Sequence, residues 1–233
     1  MNTEPMYRHE FKYRCTAAQL AVLKSRLDAV MVPDTHAGPQ GYTIRSLYFD
    51  DLENRCYYEN ENGTDPREKY RIRSYNASSE QITLECKRKE HGKTLKTACP
   101  LTRAQFDALL ENRCGLSENA DQALLNKFLI LQSTRQMAPA VIVEYDRMPY
   151  VCQTGNVRVT LDQNIRSSDD FSHFFRADIP FRPVMPLGEH LLEVKYDQLL
   201  PDYIRQTLSL DCLRQTTFSK YYLCRKFSFG GIL

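Results

Sequence analysis

The sequence predicts an α+β fold in which an antiparallel sheet of at least seven strands closes toward a barrel with a charged lumen, covered by amphipathic helices. At least seven segments alternate charged and apolar residues with the two-residue period of a strand. Helical segments with one apolar side need sheet surface to cover. A sheet covered in this way turns its charged face toward its own concave side. A sandwich with solvated charged faces is the alternative.

Length and composition point to a soluble globular protein. The 233 residues contain no linker-like stretch, so a single domain over 1–233 is predicted. Because the net charge is only +2, a basic site must arise from placement, which argues against non-specific nucleic-acid binding. Eight cysteines without a C-x-x-C pair, and no recognisable secretory signal, predict reduced thiols and a cytoplasmic location. No apolar run approaches the ~18 residues that span a bilayer.

The first third of the chain begins with a strand followed by a helix. Tyr7–Tyr13 alternates as a strand. Thr16 and Gln19 have the spacing of a capping box, and leucines then recur at helical intervals up to Val30. A Pro- and Gly-rich loop over Met31–Gly41 should follow.

Two further strands are predicted before the centre of the chain. Tyr42–Asp50 is rich in β-branched and aromatic residues, which favour strands. A turn over residues 51–54 then leads into a second short strand, Arg55–Asn60. Asn62-Gly63 is the next turn signal.

The central hairpin concentrates cations on one face. Residues 67–75 and 82–90 alternate and are joined by the polar turn Asn76–Glu80, which predicts an antiparallel pair. A third short strand carries Lys93 and Lys96. With a period of two, one face of the hairpin holds Lys69, Arg71, Arg73, Thr83, Glu85, Lys87 and Lys89.

The second half alternates helices and strands. Thr102 and Gln105 repeat the capping-box spacing. Leu84-Glu-Cys-Lys is echoed by Leu192-Glu-Val-Lys, each an apolar-Glu-x-Lys strand. The remaining predicted elements are a helix over Glu118–Thr134 capped by Ser117, strands Ala140–Tyr150, Asn156–Asn164 and Leu191–Tyr196, an ordered loop over Asp169–Val184, and helices Asp202–Leu210 and Ser219–Phe227.

Placed on a barrel, the charged faces predict a lumen that binds a polyanion. The candidate lumen cations are Arg8, Lys12, Arg45, Lys69, Arg71, Arg73, Lys87, Lys89, Lys96, Arg147, Arg158, Lys195 and Lys220. The lumen carboxylates are Glu10, Glu85, Asp162 and Glu193. So many like charges repel unless an anion is present, and the planar fork of arginine suits phosphate oxygens. The carboxylates serve as ion-pair partners or as ligands for Mg²⁺ or Mn²⁺.

Nine segments in order resemble the VTC domain, the polyphosphate polymerase branch of the triphosphate tunnel metalloenzymes in the CYTH-like superfamily. They are Arg8–Tyr13, Ser46–Asp50, Lys69–Arg73, Leu84–Lys89, Gly92–Lys96, Tyr145–Arg147, Arg158–Asp162, Leu192–Lys195 and Ser219–Tyr221. Each motif is weak alone, but their order makes the set specific. The resemblance implies a closed antiparallel β-barrel, a tunnel of about eight strands covered by helices.

The resemblance implies an ATP-dependent polyphosphate polymerase, a transferase that adds the ATP γ-phosphate to a growing chain with manganese or magnesium. By motif, Lys12, Arg71, Arg73, Lys87, Lys96, Arg147 and Arg158 would bind phosphate, Lys220 would close the site, and Glu193, with Glu10 as the weaker candidate, would hold the metal. Strand parity alone adds Arg45, Lys69, Lys89 and Lys195 as substrate-binding residues, and Arg8, one of the candidate lumen cations, is assigned the same role.

Two other functions remain open: a metal-dependent hydrolase of inorganic, thiamine or nucleoside triphosphate, and a non-catalytic polyphosphate or nucleotide sensor. The expected partners are ATP or another triphosphate and a polyphosphate chain, and no nucleic acid. Vacuolar relatives carry an SPX domain and a membrane segment that this sequence does not show. A separate membrane protein at the inner face of a membrane is therefore the expected partner for product translocation. Tyr13, Tyr48, Tyr70 and Tyr75 are expected to pack in the barrel wall, with adenine stacking by one of them as the alternative.

Overall fold

The structure is a computed structural model that describes residues 9–91, 93–210 and 213–229. One antiparallel sheet organises this part of the chain. Its strands are β1 (His9–Thr16), β2 (Val32–Pro33), β3 (Tyr42–Asp50), β4 (Arg67–Tyr75), β5 (Ile82–Glu90), β6 (Lys93–Leu101), β7 (Ala138–Cys152), β8 (Val157–Ser168), β9 (Arg182–Pro183) and β10 (Glu189–Tyr196). The α-helices are α1 (Ala17–Val30), α2 (Arg55–Glu61), α3 (Arg103–Leu110), α4 (Ala123–Arg135), α5 (Asp202–Leu208) and α6 (Lys220–Ser228).

Eight strands pair in the order β1-β10-β8-β7-β3-β4-β5-β6, with β2 added to β7 and β9 to β8. The ends of this path approach each other, since Lys87 of β5 donates to Glu10 of β1 over 3.2 Å. Residues before α6 lie along the edge of β1: Gln215 forms a bridge with Tyr13, and the Thr216 N–H donates to the Lys12 carbonyl at 2.9 Å. The sheet therefore curls into a half-barrel. The predicted α+β fold with a tunnel-like antiparallel sheet of eight strands is confirmed, and the predicted closed barrel is a half-barrel, since no ladder between β1 and β6 joins its ends among the described residues.

Most of the apolar core lies on the convex side of the sheet. One cluster packs α1 and α5 on β1, β8 and β10, and includes Leu20, Leu23, Leu27, Val159, Leu192 and Ile204. The other packs α3 and α4 on β3 to β7, and includes Leu47, Ile72, Leu84, Phe106 and Phe128. It extends to Tyr221 and Cys224 of α6, a helix that contacts the opposite face of the sheet through Tyr48. Burial of each aliphatic or aromatic side chain of this kind stabilises the folded state by ~1.5–3 kcal/mol. Burying the apolar faces beneath helices leaves the charged faces on the concave side, which we call the lumen.

Residues 55–61 form α2, so the predicted strand Arg55–Asn60 is wrong. The Asp50 carboxylate, at the end of β3, accepts hydrogen bonds from the backbone N–H groups of Cys56 and Tyr57 at 2.8 and 3.2 Å. These N–H groups belong to the first helical turn and have no partner within the helix. The capping carboxylate therefore favours a helix where the local residue pattern favoured a strand.

Both predicted capping boxes are present. The Thr16 hydroxyl accepts from the Gln19 N–H at 3.3 Å, and the Gln19 side chain accepts from the Thr16 N–H at 2.9 Å. Thr102 and Gln105 do the same at the start of α3. The signal read from the sequence thus marks two helix starts correctly.

The helix predicted over Glu118–Thr134 begins later, at Ala123. Ser117 does not cap it. Its N–H donates to the Asn126 side chain at 2.8 Å, and that side chain donates back to the Ser117 carbonyl at 2.6 Å. These bonds hold residues 117–122 against the helix as a loop and a short 3₁₀ turn.

None of the helices in the described ranges is long and apolar enough to cross a bilayer. The cysteines that the structure describes are all free thiols. Cys212 lies outside the described residues.

Candidate functional site

The register of the ladders places most of the predicted site residues in the lumen. The lumen side chains are Glu10 and Lys12 of β1, Tyr48 and Ser46 of β3, Lys69, Arg71 and Arg73 of β4, Glu85, Lys87 and Lys89 of β5, Lys96 of β6, Tyr145 and Arg147 of β7, Arg158, Thr160 and Asp162 of β8, and Glu193 and Lys195 of β10. Helix α6 adds Lys220, which contacts Glu193. Cations outnumber carboxylates in this set, so the lumen is basic although the chain is nearly neutral.

Three cations share the buried carboxylate of Glu85. Lys96 Nζ lies 2.6 Å from it, Arg71 Nη2 2.7 Å and Arg73 Nη1 3.6 Å. Arg71 also donates to the Tyr48 hydroxyl at 2.8 Å. Burial raises the pKa of Glu85, but the three cations outweigh burial and lower the pKa to about 2. The carboxylate therefore stays ionised, and it offsets only part of the positive charge around it.

A second buried cluster joins β7, β8, β10 and α6. Arg147 makes a bidentate pair with Asp162, with both distances 2.7 Å. Lys220 Nζ lies 2.7 Å from Asp162 and 2.8 Å from Glu193, and Lys195 Nζ lies 3.4 Å from Glu193. Burial raises the pKa of each carboxylate, yet Arg147 and Lys220 hold the pKa of Asp162 below its usual range, and Lys220 does most to lower that of Glu193. Arg147 and Lys220 are thereby held in one arrangement before any ligand binds.

Glu10 is the third carboxylate ringed by cations. Lys87, Lys12 and Lys195 lie 3.2, 3.3 and 3.6 Å from it. Burial raises the pKa of Glu10, but Lys195, Lys87 and Lys12 lower it to about 2. Although 46% of the Lys87 side chain is accessible, the surrounding protein desolvates its ammonium group and lowers its pKa to about 8, against the pull of Glu10. Lys12 also donates to the Phe218 carbonyl at 2.9 Å, next to the start of α6.

Lys69 has neutral partners. Its ammonium group donates to the Asn60 side chain at 2.5 Å and to the Ser219 hydroxyl at 3.3 Å, and lies 4.9 Å from the Tyr221 ring centroid. Burial lowers the pKa of Lys69 to about 7, and repulsion from Arg67 adds to the shift. A phosphate beside Lys69 would stabilise its charged form.

Arg45 does not face the lumen, so its predicted place among the lumen cations is wrong. It lies on the convex face opposite Glu144, and donates to the Glu144 carboxylate and to the Phe174 and Arg176 carbonyls. Ser46 takes the lumen position instead. The alternation along a strand shows which residues share a face, but it does not show which face is concave. Because Arg45 pairs with the buried Glu144 of β7, it lies on the convex side.

The other residues added by parity have different outcomes. Lys195 and Lys69 lie among the lumen cations described above. Lys89 follows Lys87 on the lumen side of β5. Arg158, which was assigned by motif, donates to Asp34 at 2.8 Å and to the Tyr42 hydroxyl at 3.1 Å, at the edge of the lumen. Arg8 lies outside the described residues.

Several buried polar atoms on the lumen face have no hydrogen-bond partner in the part of the chain that the structure describes. They are Ser46 Oγ, Thr160 Oγ1, Arg73 Nε and Arg158 Nε. A buried polar group left unpaired costs ~1–3 kcal/mol, and phosphate oxygens would accept hydrogen bonds from each of these groups. Neither Ser46 nor Thr160 was assigned a site role, because a hydroxyl residue that alternates with apolar neighbours is common in any half-buried strand.

The carboxylates fit a divalent cation that arrives together with phosphate. Glu10 and Glu193 project from the neighbouring strands β1 and β10, and both contact Lys195. Within residues 9–91, 93–210 and 213–229, no group of three or more His, Cys, Asp or Glu side chains could hold a metal. Mg²⁺ is commonly bound by one or two carboxylates plus substrate phosphates. The donor set therefore suits a metal–phosphate complex and does not suit a preformed protein cage.

A cavity of about 590 Å³ lies on the convex side, between α3 and the residues after β8. Its lining includes Asp107, Glu111, Asp169 and Asp170. Carboxylates repel a phosphate anion, so this cavity does not compete with the lumen as a triphosphate site.

Comparisons with known proteins agree with this geometry. The family model of the VTC domain matches residues 7–229. A Bacillus halodurans protein proposed to be an adenylate cyclase is 16% identical, with 89% of this chain and 87% of that chain covered and a TM-score of 0.51, which shows a similar fold. A Pyrococcus horikoshii protein (14% identity, 87% and 84% covered, TM-score 0.42) and a Mimivirus capping-enzyme triphosphatase (10%, 84% and 82%, 0.39) are more distant. A search of curated proteins found no match.

Proposed function

The chain belongs to the VTC domain family, a triphosphate-tunnel family, and from this premise we propose that it is a polyphosphate polymerase. It would transfer the γ-phosphate of ATP to a growing polyphosphate chain inside the lumen, with Mg²⁺ or Mn²⁺. The observation that carries the proposal is the excess of lumen cations over carboxylates, together with buried lumen donors that have no partner. A phosphate chain supplies both the missing charge and the missing acceptors.

Phosphoryl transfer depends on in-line positioning and charge neutralisation more than on covalent chemistry. Arg71, Arg73 and Lys96 share the single charge of Glu85, so net positive charge remains for phosphate oxygens. Arg147 and Lys220 are already oriented by Asp162 and Glu193. Preorganised charges of this kind stabilise a transition state without further reorganisation.

The lowered pKa values of the lumen carboxylates favour phosphoryl transfer to a phosphate chain over hydrolysis of a triphosphate. A hydrolase orients and deprotonates a water molecule, whereas the end of a phosphate chain is already ionised and needs no strong base. Glu10, Glu85 and Glu193 each contact three cations and have lowered pKa values. Carboxylates with such low pKa values are weak bases, and they are held by their ion pairs.

A bound Mg²⁺ or Mn²⁺ would be held by Glu193 and Glu10 together with phosphate oxygens, and would neutralise charge on those oxygens. For Glu193 to serve as a ligand, its oxygens must be shared with or released by Lys220, which lies 2.8 Å away. This contact also favours a second candidate function, a sensor that binds polyphosphate without turnover, because it keeps the carboxylate occupied.

The decisive experiment incubates the purified protein with ATP and Mn²⁺ and resolves the products by gel electrophoresis. Chain growth with release of ADP supports the polymerase. Phosphate release without chain growth identifies a triphosphatase, and tight binding without turnover identifies a sensor. Arg73→Met should abolish product formation, whereas Arg88→Met, on the convex face of β5, should preserve it.

A further inference from the structure

Helix α6 covers one end of the lumen, and the strand β3 runs from that end toward the other. At its last residue, Asp50 accepts a hydrogen bond from the Tyr221 hydroxyl of α6 at 2.5 Å. The Tyr221 ring packs on Tyr48 at 5.1 Å, so α6 covers this end. Tyr42 begins β3, about 26 Å away at the usual rise per residue. We call the region around Tyr42 the mouth.

Two aromatic rings line the mouth from the lumen side. Tyr42 lies opposite Arg147, and Tyr75 follows Arg73 by two residues on the same face of β4. The rings are 5.5 Å apart at an interplanar angle of 79°, and both are half-buried. In an edge-to-face pair, one ring presents its edge to the face of the other, so the pair still offers a ring face to a third planar group.

Polar groups complete the mouth. Arg158 Nη2 donates to Asp34 at 2.8 Å and to the Tyr42 hydroxyl at 3.1 Å. Arg158 Nε is buried without a hydrogen-bond partner among the described residues, although 37% of the side chain is exposed. The guanidinium group therefore retains a donor for a ligand at this position.

We propose that the mouth, formed by Asp34, Tyr42, Tyr75 and Arg158, binds the nucleoside portion of a nucleoside triphosphate whose phosphates contact Arg147, opposite Tyr42, and extend inward to Arg73. The inference rests on the proposed function, since it requires a triphosphate in the lumen. Tyr75 and Arg73 are one lumen-facing step apart, about 7 Å. A ribose spans a similar distance between the first phosphate and the base.

Stacking sets the expected selectivity. Every nucleobase has a π-face, so stacking on tyrosine contributes affinity without reading the edge of the base. Asp34 is already engaged by Arg158 and by the His36 N–H at 3.0 Å. ATP and GTP should therefore bind with affinities within a few-fold of each other.

A second aromatic cluster provides a matched control. Tyr57 stacks on Tyr222 at 5.1 Å, and Tyr58 packs edge-on against Tyr57 at 5.2 Å. Tyr58 is 50% exposed. This cluster lies between α2 and α6, at the covered end of the lumen, and should not contact the nucleoside.

The test is calorimetric titration, in Mg²⁺ buffer, of the wild-type chain and single variants with a non-hydrolysable ATP analogue and with tripolyphosphate. Tyr75→Ala should weaken binding of the analogue about tenfold and change tripolyphosphate binding less than twofold. Tyr75→Phe, which keeps the ring, should bind the analogue more tightly than Tyr75→Ala does, and Tyr58→Ala should leave both affinities unchanged. Thermal melting identifies any variant that does not fold.

Each of the following outcomes would overturn the inference. Equal losses for both ligands would show that Tyr75 acts on the phosphates or on the fold. If Tyr75→Ala leaves analogue binding unaffected, or if Tyr58→Ala abolishes it, the nucleoside binds outside the mouth. If the wild type binds tripolyphosphate and not the analogue, the inference fails while a triphosphate function stands; binding of neither ligand would end both.

Discussion

The ammonium group of Lys220 on α6 lies 2.8 Å from the carboxylate of Glu193 on β10, and both side chains are buried. Asp162 accepts from the same ammonium group at 2.7 Å. The pair links the last helix to the lumen wall.

Removal of the Lys220 charge should destabilise the fold. Lys220→Met leaves two buried carboxylates with less compensation, and breaking a buried ion pair costs about 3–5 kcal/mol. Denaturant unfolding measures the loss. Lys24→Met breaks an exposed pair with Asp28 and should cost no more than about 1 kcal/mol. Similar losses in the two variants would contradict the structural role of Lys220.

Arg73 and Arg71 should separate binding from stability. Arg73 reaches Glu85 only at 3.6 Å and has an unpartnered Nε, so Arg73→Met should change stability little. It should weaken tripolyphosphate binding about 10- to 100-fold through loss of charge-assisted hydrogen bonds. Arg71→Met also breaks bonds to Glu85 and Tyr48, and should lower both stability and affinity. Calorimetry measures the tripolyphosphate affinity of each variant, and thermal melting measures its stability. A stability loss confined to Arg73→Met would contradict the expected separation of binding from stability.

Triphosphate affinity should fall as the pH rises from about 7 to 9, because Lys69 and Lys87, with pKa values of about 7 and 8, lose their protons. Folding stability should change in the opposite direction. The unfolded chain keeps Lys69 protonated up to about its ordinary pKa of 10.5, so over this range it binds more protons than the folded chain, and stability rises with pH.

Lys69→Arg is the control for this pH dependence, because arginine stays charged throughout. The contribution of residue 69 should then disappear from a plot of the tripolyphosphate dissociation constant against pH. An unchanged profile in this variant would show that Lys69 does not titrate near neutrality.

Arg45→Met should affect stability alone. Its loss leaves the buried Glu144 with only Arg166 as an ion-pair partner among the described residues, and it removes the anchor of the Phe174 carbonyl. A cost of about 3 kcal/mol is expected, with tripolyphosphate affinity unchanged within twofold. A selective loss of affinity in a stable Arg45→Met protein would return this residue to the binding site.

Glu193 and Glu85 occupy the matching positions of the two apolar-Glu-x-Lys strands, and each contacts three cations. If Glu193 holds the metal, Mn²⁺ should strengthen tripolyphosphate binding in the wild type and in Glu85→Gln, and should do so much less in Glu193→Gln. For each protein, the tripolyphosphate dissociation constant with Mn²⁺ is divided by that without Mn²⁺. This ratio corrects for the general effect of deleting a negative charge. Equal ratios in both variants would exclude Glu193 as a ligand.

Much of the site was predictable because strand parity is a local property. The two-residue period correctly grouped Lys69, Arg71 and Arg73, and it grouped Glu85 with Lys87. Arg45 failed because parity does not identify the concave face, which depends on the partner strand. The uncharged lumen groups, Ser46 among them, carry no signal that separates them from ordinary strand residues.

The order of residues alone determined the alternation that makes the strands two-faced, the capping boxes that begin α1 and α3, and the excess of cations on one face. Tertiary structure decided the rest, because it depends on groups distant in sequence. Asp50 turned a predicted strand into α2, and Glu144 placed Arg45 on the convex face. Helix α6 brought Lys220 to Glu193, so the lumen's charges are arranged by contacts that only the folded chain makes.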